Sequence, residues 1–236
     1  MVNAQEFFGK EVVSLFHGSS AQVKHPQRGV GNPHNDYGQG FYCTKQREMA
    51  GEWACKSNTH GFINTYTLEQ SGLTVLDLTD GSHSVLNWIA LLLKNRTFRL
   101  SSPLAADARE YLIRHFSADT SQTDLIIGYR ADDSCFQYAE AFVENTLPLR
   151  GLSRALRLGQ LGLQTVLISE KAFRQLRFVE ASPAEKTAYY PSFLRRDSQA
   201  RRSYQQVIAR DRSYLTDVFV LDIIREEMTN DDPRLQ

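Results

Sequence analysis

Apolar and polar residues along this chain of 236 residues change their spacing many times, from strict alternation to helical periodicity and back. Short apolar or alternating runs predict strands at 12–16, 62–68, 74–78, 124–129, 164–169 and 177–180. Helices are expected at 84–94, 103–116, 134–145, 152–158 and 170–176. Because strands and helices do not alternate regularly, the pattern predicts an α+β fold rather than a doubly wound sheet.

A stretch without periodicity, residues 21–40, follows the first strand and is rich in Gly, Pro, Asn and His. We interpret it as a long loop, and loops of this length inside compact domains are usually functional. A short strand around Tyr42 comes next. Thr44 is then expected to cap a helix that carries Met49 and Trp53 on one side.

The composition shifts after Pro183, where Arg, Gln, Ser and Tyr become frequent. This shift predicts a helical extension with many exposed charges, including an amphipathic segment at 218–227. We therefore expect a domain over residues 1–180 and a helical extension over residues 181–236 that packs on the same domain.

Charge and cysteine content exclude several classes of protein. Lys plus Arg and Asp plus Glu number 27 each, so net charge gives no indication of nucleic acid or membrane binding. The three cysteines form no C-x-x-C pair, and neither a disulfide framework nor a metal site is expected. The polar start of the chain predicts no signal peptide, and the apolar run at 85–93 is too short to span a bilayer. A cytoplasmic protein is the expectation.

Two short motifs carry candidate chemistry. His17 and Gly18 end the first strand, where the imidazole can point into a cleft and the glycine lets a planar amide approach the backbone. Gly38 and Gly40 permit a tight turn before Tyr42, whose ring can stack on a ligand ring. Each motif also has a purely structural explanation: a core histidine at a strand end, and a strand that alternates between core and solvent.

Together the two motifs resemble those of the ADP-ribosyltransferases, in the poly(ADP-ribose) polymerase-like branch whose signature is His, Tyr and an acid on three strands. The first motif of this chain is His17-Gly-Ser19, and the second is Asp36-Tyr-Gly-Gln-Gly-Phe-Tyr-Cys-Thr44. A predicted helix that contains Ala50 and Trp53 follows the second motif. The chain looks closest to a bacterial family of unknown function in that branch. The segments 124–134 and 161–169 extend the resemblance, which covers about residues 12–180.

The resemblance implies a split-sheet core with interspersed helices and a cleft between two small sheets that binds NAD. His17 would bond a ribose hydroxyl, the backbone of Gly18 would pair with the nicotinamide amide, and Tyr42 would stack on the nicotinamide ring. Ser19 and Gly40 complete the expected NAD-binding set.

The third strand puts Gln164 where this branch usually has its catalytic glutamate. The reaction expels nicotinamide through an oxocarbenium-like centre, which a nearby carboxylate stabilises. A glutamine amide accepts a hydrogen bond from ribose but supplies neither a full charge nor a general base. Three outcomes stay open: another acid takes over, the target needs little deprotonation, or NAD is bound without turnover.

Asp132 and Asp133 are the candidate replacement acids, because they follow the strand at 124–129. Acidic residues also collect at helix N-termini for structural reasons, and that alternative stays open. Arg130 is a candidate for the NAD pyrophosphate or for an exposed salt bridge. His34 and Asp36 lack further ligands at metal-like spacing, so no metal is expected.

The sequence therefore predicts an NAD-dependent ADP-ribosyltransferase that modifies a macromolecule, either a protein or a nucleic acid. The resemblance implies a bacterial toxin or phage-defence effector, with a small antitoxin protein as a further partner. The alternatives are a non-catalytic NAD or ADP-ribose-binding module and an NAD glycohydrolase. A large gain in turnover from Gln164→Glu would indicate a weakened enzyme.

Overall fold

Two small sheets packed face to face form the centre of the molecule. The computed structural model describes residues 11–131, 133–158, 162–210 and 216–235, without the side chains of 133–135, 155–158, 200, 201 and 203–210. Strands are β1 (Val12–Ser19), β2 (Phe41–Cys43), β3 (Gly61–Glu69), β4 (Val75–Asp77), β5 (Leu125–Tyr129), β6 (Leu163–Leu167) and β7 (Leu176–Ala184). Helices are α1 (Arg47–Cys55), α2 (Val85–Asn95), α3 (Pro103–Phe116), α4 (Asp133–Val143), α5 (Leu149–Leu158), α6 (Glu170–Gln175), α7 (Lys186–Arg210) and α8 (Val220–Arg225). The predicted α+β class is confirmed.

The first sheet has the strand order β1-β3-β7 and the second has β2-β6-β5-β4. All pairs are antiparallel except the parallel β4–β5 pair. An isolated bridge joins the backbones of the two sheets, where Phe16 and Thr44 exchange two hydrogen bonds of 2.8 and 2.9 Å. This bridge brings the end of β1 beside the start of the segment after β2.

Strand alternation divides the buried residues into layers. Leu15 and Tyr66 of the first sheet and Ile127 and Leu167 of the second belong to one apolar cluster between the sheets. The opposite face of the second sheet packs against helices α2, α3, α4, α5 and α8. That helical cluster includes Trp88 and is the larger of the two.

Helix α1 covers the other face of the first sheet, where Ala50 and Ala54 pack against Ile63. Thr44 does not cap this helix, contrary to the sequence prediction. Its backbone is occupied by the bridge to Phe16, and the residue before the helix is Gln46, which makes no capping hydrogen bond with its side chain.

The predicted start of the helical extension at residue 181 lies inside β7, because that strand continues to Ala184. Helix α7 then packs on α1. Arg196 forms an ion pair of 2.8 Å with Glu52, a carboxylate that is almost fully buried on α1. The ring of Tyr189 lies against Gly51 so closely that an added Cβ there would meet it at 2.3 Å.

Among the residues that the structure describes, no helix combines the length and the apolar character needed to cross a bilayer.

Candidate functional site

A cavity of about 920 Å³ lies where β1 and β2 diverge beyond the bridge between the sheets. Its volume is within the range of ordinary small-molecule sites. Loop 20–40, α1 and α7 complete its walls. The residues that the sequence predicts to bind a ligand line it together: His17, Gly18, Ser19, Gly40, Tyr42, Arg130 and Gln164.

The backbone of Gly18 faces the cavity, at the place where β1 and β2 separate. Phe16 donates to and accepts from Thr44, so both of its peptide groups point away from β3. In an antiparallel ladder, residues two apart direct their N–H and C=O groups to the same side. The N–H and C=O of Gly18 therefore lie on the side of β1 that faces the cavity, in line with its predicted pairing to a planar amide.

The packing of the chain gives a second reason for a glycine at position 18, beside the predicted approach of a planar amide. A Cβ at this position would lie 1.8 Å from the carbonyl oxygen of Ala50 and 2.8 Å from the backbone nitrogen of Ala54. The glycine is required because α1 crosses directly over the end of β1. The cavity wall formed by Trp53 and Ala54 thus depends on it.

His17 reaches the cavity from the layer between the sheets. Its ring packs on Phe41 with the centroids 4.5 Å apart, and its Nδ1 lies 2.7 Å from the carbonyl oxygen of Tyr42. Burial lowers the pKa of His17, so the imidazole is neutral near pH 7. Because a carbonyl only accepts, Nδ1 carries the proton and Nε2 is left as an acceptor.

Tyr42 enters from the opposite face of the second sheet, where it packs against the helical cluster. Its hydroxyl donates to the carbonyl of Gly38 at 2.7 Å and accepts from the N–H of Tyr37 at 3.0 Å. Gly38 has a φ of +77°, which glycine adopts without strain. Burial raises the pKa of Tyr42, so the hydroxyl stays protonated. The hydroxyl of Tyr42 thus holds the loop, and the face of its ring is the part available to a ligand.

Gln164 is nearly buried at the floor of the cavity. Its Nε2 donates to a carboxylate oxygen of Asp36 at 2.8 Å and to the carbonyl of Tyr129 at 3.3 Å. The side chain with which Gln164 shares the site is therefore an acid from loop 20–40. In the sequence, Asp36 stands at the start of the motif 36–44 and was weighed as a metal ligand, but its pairing with Gln164 was not predicted.

Asp36 is held by a set of donors. Oδ1 of Asp36 is 3.1 Å from a guanidinium nitrogen of Arg96. Oδ2, which accepts from Gln164, also accepts from the N–H of Ala131 at 3.0 Å. Burial raises the pKa of Asp36, while the bonds from Ala131 and Gln164 and the charges of Arg96 and Arg130 oppose that rise. In the sequence, Gly38 and Gly40 indicate a tight turn between Asp36 and Tyr42, but no local pattern indicates the contact of Asp36 with Gln164.

Neither of the two predicted replacement acids has a described side chain. Asp132 lies outside the described residues, and Asp133 is the first residue of α4, with its side chain outside the description. Arg130 lies with its guanidinium carbon 5.6 Å from the ring centre of Trp53, in the cavity wall. No group of three or more potential metal ligands occurs within the part of the chain that the structure describes.

Ser19 serves the local structure. Its hydroxyl donates to the carbonyl of Ala21 at 2.7 Å and accepts from Asn64 at 3.0 Å. Asn64 also bonds the N–H of Val23 at 2.8 Å, so this cluster fixes the start of loop 20–40 against β3. Ser19 lines the cavity, but its hydroxyl is already used by the protein.

Comparison with known proteins identifies a family. Residues 13–178 match the family model described as "Protein of unknown function (DUF3990)". The chain belongs to the DUF3990 family. None of the curated proteins and none of the solved structures gives a significant match.

The DUF3990 match covers β1 to the middle of β7, and so includes every predicted site residue. Helix α7 lies beyond the matched range, although Phe193 and Arg196 line the cavity. One wall of the site in this DUF3990 protein is therefore supplied by a segment that the family model does not describe.

Proposed function

We propose that this protein binds NAD in the cavity between its two sheets and transfers ADP-ribose to a macromolecule, a protein or a nucleic acid. The main observation in support is that one cavity is lined by residues from three different strands, namely His17, Tyr42 and Gln164. The resemblance to the ADP-ribosyltransferases supplies the reaction and the split-sheet fold that goes with it.

The chemistry of the cavity fits the nicotinamide riboside part of NAD. A neutral His17 offers Nε2 to a ribose hydroxyl, and Gly18 offers a backbone N–H and C=O to the carboxamide. The ring of Tyr42 supplies an apolar surface for the pyridine ring. Arg130, which lies over Trp53 in the same wall, is suited to the pyrophosphate because a guanidinium binds phosphate oxygens in pairs.

The reaction breaks the bond between the pyridinium nitrogen and ribose C1. The bonding electrons leave with nicotinamide, which becomes neutral, and a nucleophile of the acceptor forms the new bond at C1 and releases its proton. Water in place of the acceptor gives hydrolysis. Gln164 would accept a hydrogen bond from the ribose through its amide oxygen.

Incubation with NAD labelled in the adenosine part tests this proposal. We expect label on a macromolecule and one nicotinamide released for each label transferred. His17→Ala and Tyr42→Ala should abolish both signals. His115→Ala is a matched control, because His115 is exposed on α3 and does not line the cavity. Absence of both label and nicotinamide in the wild type would contradict the proposal.

A non-catalytic NAD or ADP-ribose-binding module is the second candidate, and the amide at position 164 favours it. Such a module would give a calorimetric binding signal with NAD but no nicotinamide. Nicotinamide release without a labelled macromolecule would instead indicate a glycohydrolase. The three functions thus give three different patterns in the same two assays.

The setting that we propose is a bacterial toxin or phage-defence effector neutralised by a small antitoxin protein. Expression in bacteria of the wild type and of His17→Ala with Tyr42→Ala tests this setting. Growth arrest by the wild type alone, with modified host molecules recovered by mass spectrometry, is the expected result. Equal growth of both strains would contradict the toxin assignment.

A further inference from the structure

The amide of Gln164 has only one orientation that its surroundings allow. Both groups beside Nε2 act as acceptors. Oδ2 of Asp36 accepts from the N–H of Ala131 and Oδ1 pairs with Arg96, and the carbonyl of Tyr129 can only accept. Rotating the amide by 180° would put its oxygen against two other oxygens. Both N–H groups are therefore committed to the protein, and the amide oxygen is the part that Gln164 presents to a ligand.

The same surroundings disfavour a glutamate at position 164. Its carboxylate would stand about 3 Å from that of Asp36, and two such groups do not both ionise. The glutamine is thus the residue that its acidic neighbour requires. In this chain the loop carries the acid and the strand carries an amide, whereas in the branch that the chain resembles the strand carries the acid.

Asp36 is itself fixed from three directions. Arg96 pairs with one oxygen, and the N–H of Ala131 donates to the other. The next residue, Tyr37, donates its hydroxyl to the carbonyl of Tyr129 at 2.7 Å, and Trp88 donates to that hydroxyl at 2.8 Å. The loop is therefore attached to β5 immediately beside the carboxylate, which makes Asp36 a rigid partner for the amide.

We propose that Asp36 is a positioning residue that holds the Gln164 amide with its oxygen toward the ligand ribose, so that the Asp36–Gln164 pair replaces the single glutamate of related enzymes. This inference rests on the proposed function. It assigns to a loop residue a role that neither Asp132 nor Asp133 has to fill.

The test compares Asp36→Asn, Gln164→Glu and the exchanged variant that carries both changes. We expect each single change to lower kcat for nicotinamide release by roughly tenfold or more with KM for NAD little changed, because the amide or acid is then misdirected. The exchanged variant restores a carboxylate–amide pair, and its kcat should recover most of the loss. Asp77→Asn is a matched control, since Asp77 is an equally buried acid away from the cavity.

Thermal unfolding of the same four proteins gives a readout independent of activity. Both single changes should lower Tm. The exchanged variant should lose much less Tm than the two single losses added together, because the residues are in direct contact. Asp77→Asn should lower Tm without changing kcat.

The outcomes separate the two proposals. An active wild type whose kcat is unchanged in folded Asp36→Asn, or raised in Gln164→Glu, overturns the positioning role. A wild type that neither binds NAD nor releases nicotinamide overturns the proposed function and this positioning role together. Even then, additive Tm losses in the exchanged variant would separately refute the Asp36–Gln164 pair.

Discussion

The two walls of the cavity are built in different ways. On one side, His17 and Gly18 lie at the end of β1 with α1 directly above, and the wall depends on close backbone approach. On the other side, Asp36 and Gln164 meet across 128 positions of the chain, and the wall depends on buried hydrogen bonds. We call these the β1–α1 wall and the loop–β6 wall.

Because the two walls are built differently, they should be sensitive to different kinds of substitution. Backbone packing leaves no room for an added methyl group, so steric changes are costly in the β1–α1 wall. A buried donor or acceptor destabilises the fold when it loses its hydrogen-bond partner. Substitutions that delete a donor or an acceptor are therefore the costly ones in the loop–β6 wall. Three substitutions, each with a control, and a pH series test this difference, from the largest expected effect to the smallest.

Gly18→Ala is expected to have the largest effect. The new methyl group would overlap the carbonyl of Ala50, so α1 must move or the chain must unfold. We expect a loss of about 3 kcal/mol or more in the free energy of unfolding, measured by urea titration. Gly29→Ala is the control, since nothing lies near its Cβ and only its φ of +84° opposes it, at about 1 kcal/mol. Equal losses in the two variants would contradict the packing argument.

Arg196→Ala tests what supports α1 from outside. It leaves Glu52 buried without its guanidinium partner, so we expect a loss of about 2–3 kcal/mol in the free energy of unfolding. Arg196→Met combined with Glu52→Gln removes both charges and should lose less. If the double variant is the less stable one, the ion pair itself is what stabilises the contact between α7 and α1.

Tyr37→Phe tests the loop–β6 wall. It removes the hydroxyl that receives the indole N–H of Trp88 and donates to Tyr129, at an expected loss of about 1–2 kcal/mol in unfolding free energy. Tyr111→Phe is the control, because its hydroxyl makes one bond, to the carbonyl of Met228, in a less buried position. A smaller loss for Tyr37→Phe than for Tyr111→Phe would contradict the anchoring role of the loop.

The pH dependence of His17 is the smallest effect. Burial lowers the pKa of His17 below 6.5 in the folded chain, so the unfolded chain takes up this proton first as pH falls. The contribution of His17 to stability is therefore complete above pH 6.5 and is lost as pH falls through the folded pKa. Thermal unfolding from pH 7.5 to pH 5 measures it.

His17→Asn is the control for this titration, since an amide donates to the carbonyl of Tyr42 without titrating. The variant should lose less Tm on acidification than the wild type does. Identical pH profiles would show that His17 is not the residue responsible.

The sequence predicted local features better than contacts between distant segments, for a physical reason. Helix α3, with Pro103 at its start, has the predicted bounds 103–116, and His17 and Gly18 lie near the end of β1. Such features depend on neighbours in sequence. The bond from Asp36 to Gln164 depends instead on how loop 20–40 folds over the second sheet, which no local pattern encodes.

Position 164 shows the same limit from the other side. Gln164 occupies a motif position where an acid is expected, and Asp132 and Asp133 were predicted to replace that acid because they follow the strand at 124–129. The acid that contacts Gln164 lies much earlier in the chain, before β2. Thr44 failed as a helix cap for a related reason, because a long-range bridge to Phe16 occupies its backbone.

Isothermal titration calorimetry with NAD tests the central claim most directly, namely that one cavity lined by His17 and Tyr42 binds the dinucleotide. We expect the wild type to bind one NAD per chain, and His17→Ala to bind at least about tenfold more weakly, because each tenfold corresponds to the loss of one good hydrogen bond. No heat with the wild type, or equal affinity in His17→Ala, would contradict the account.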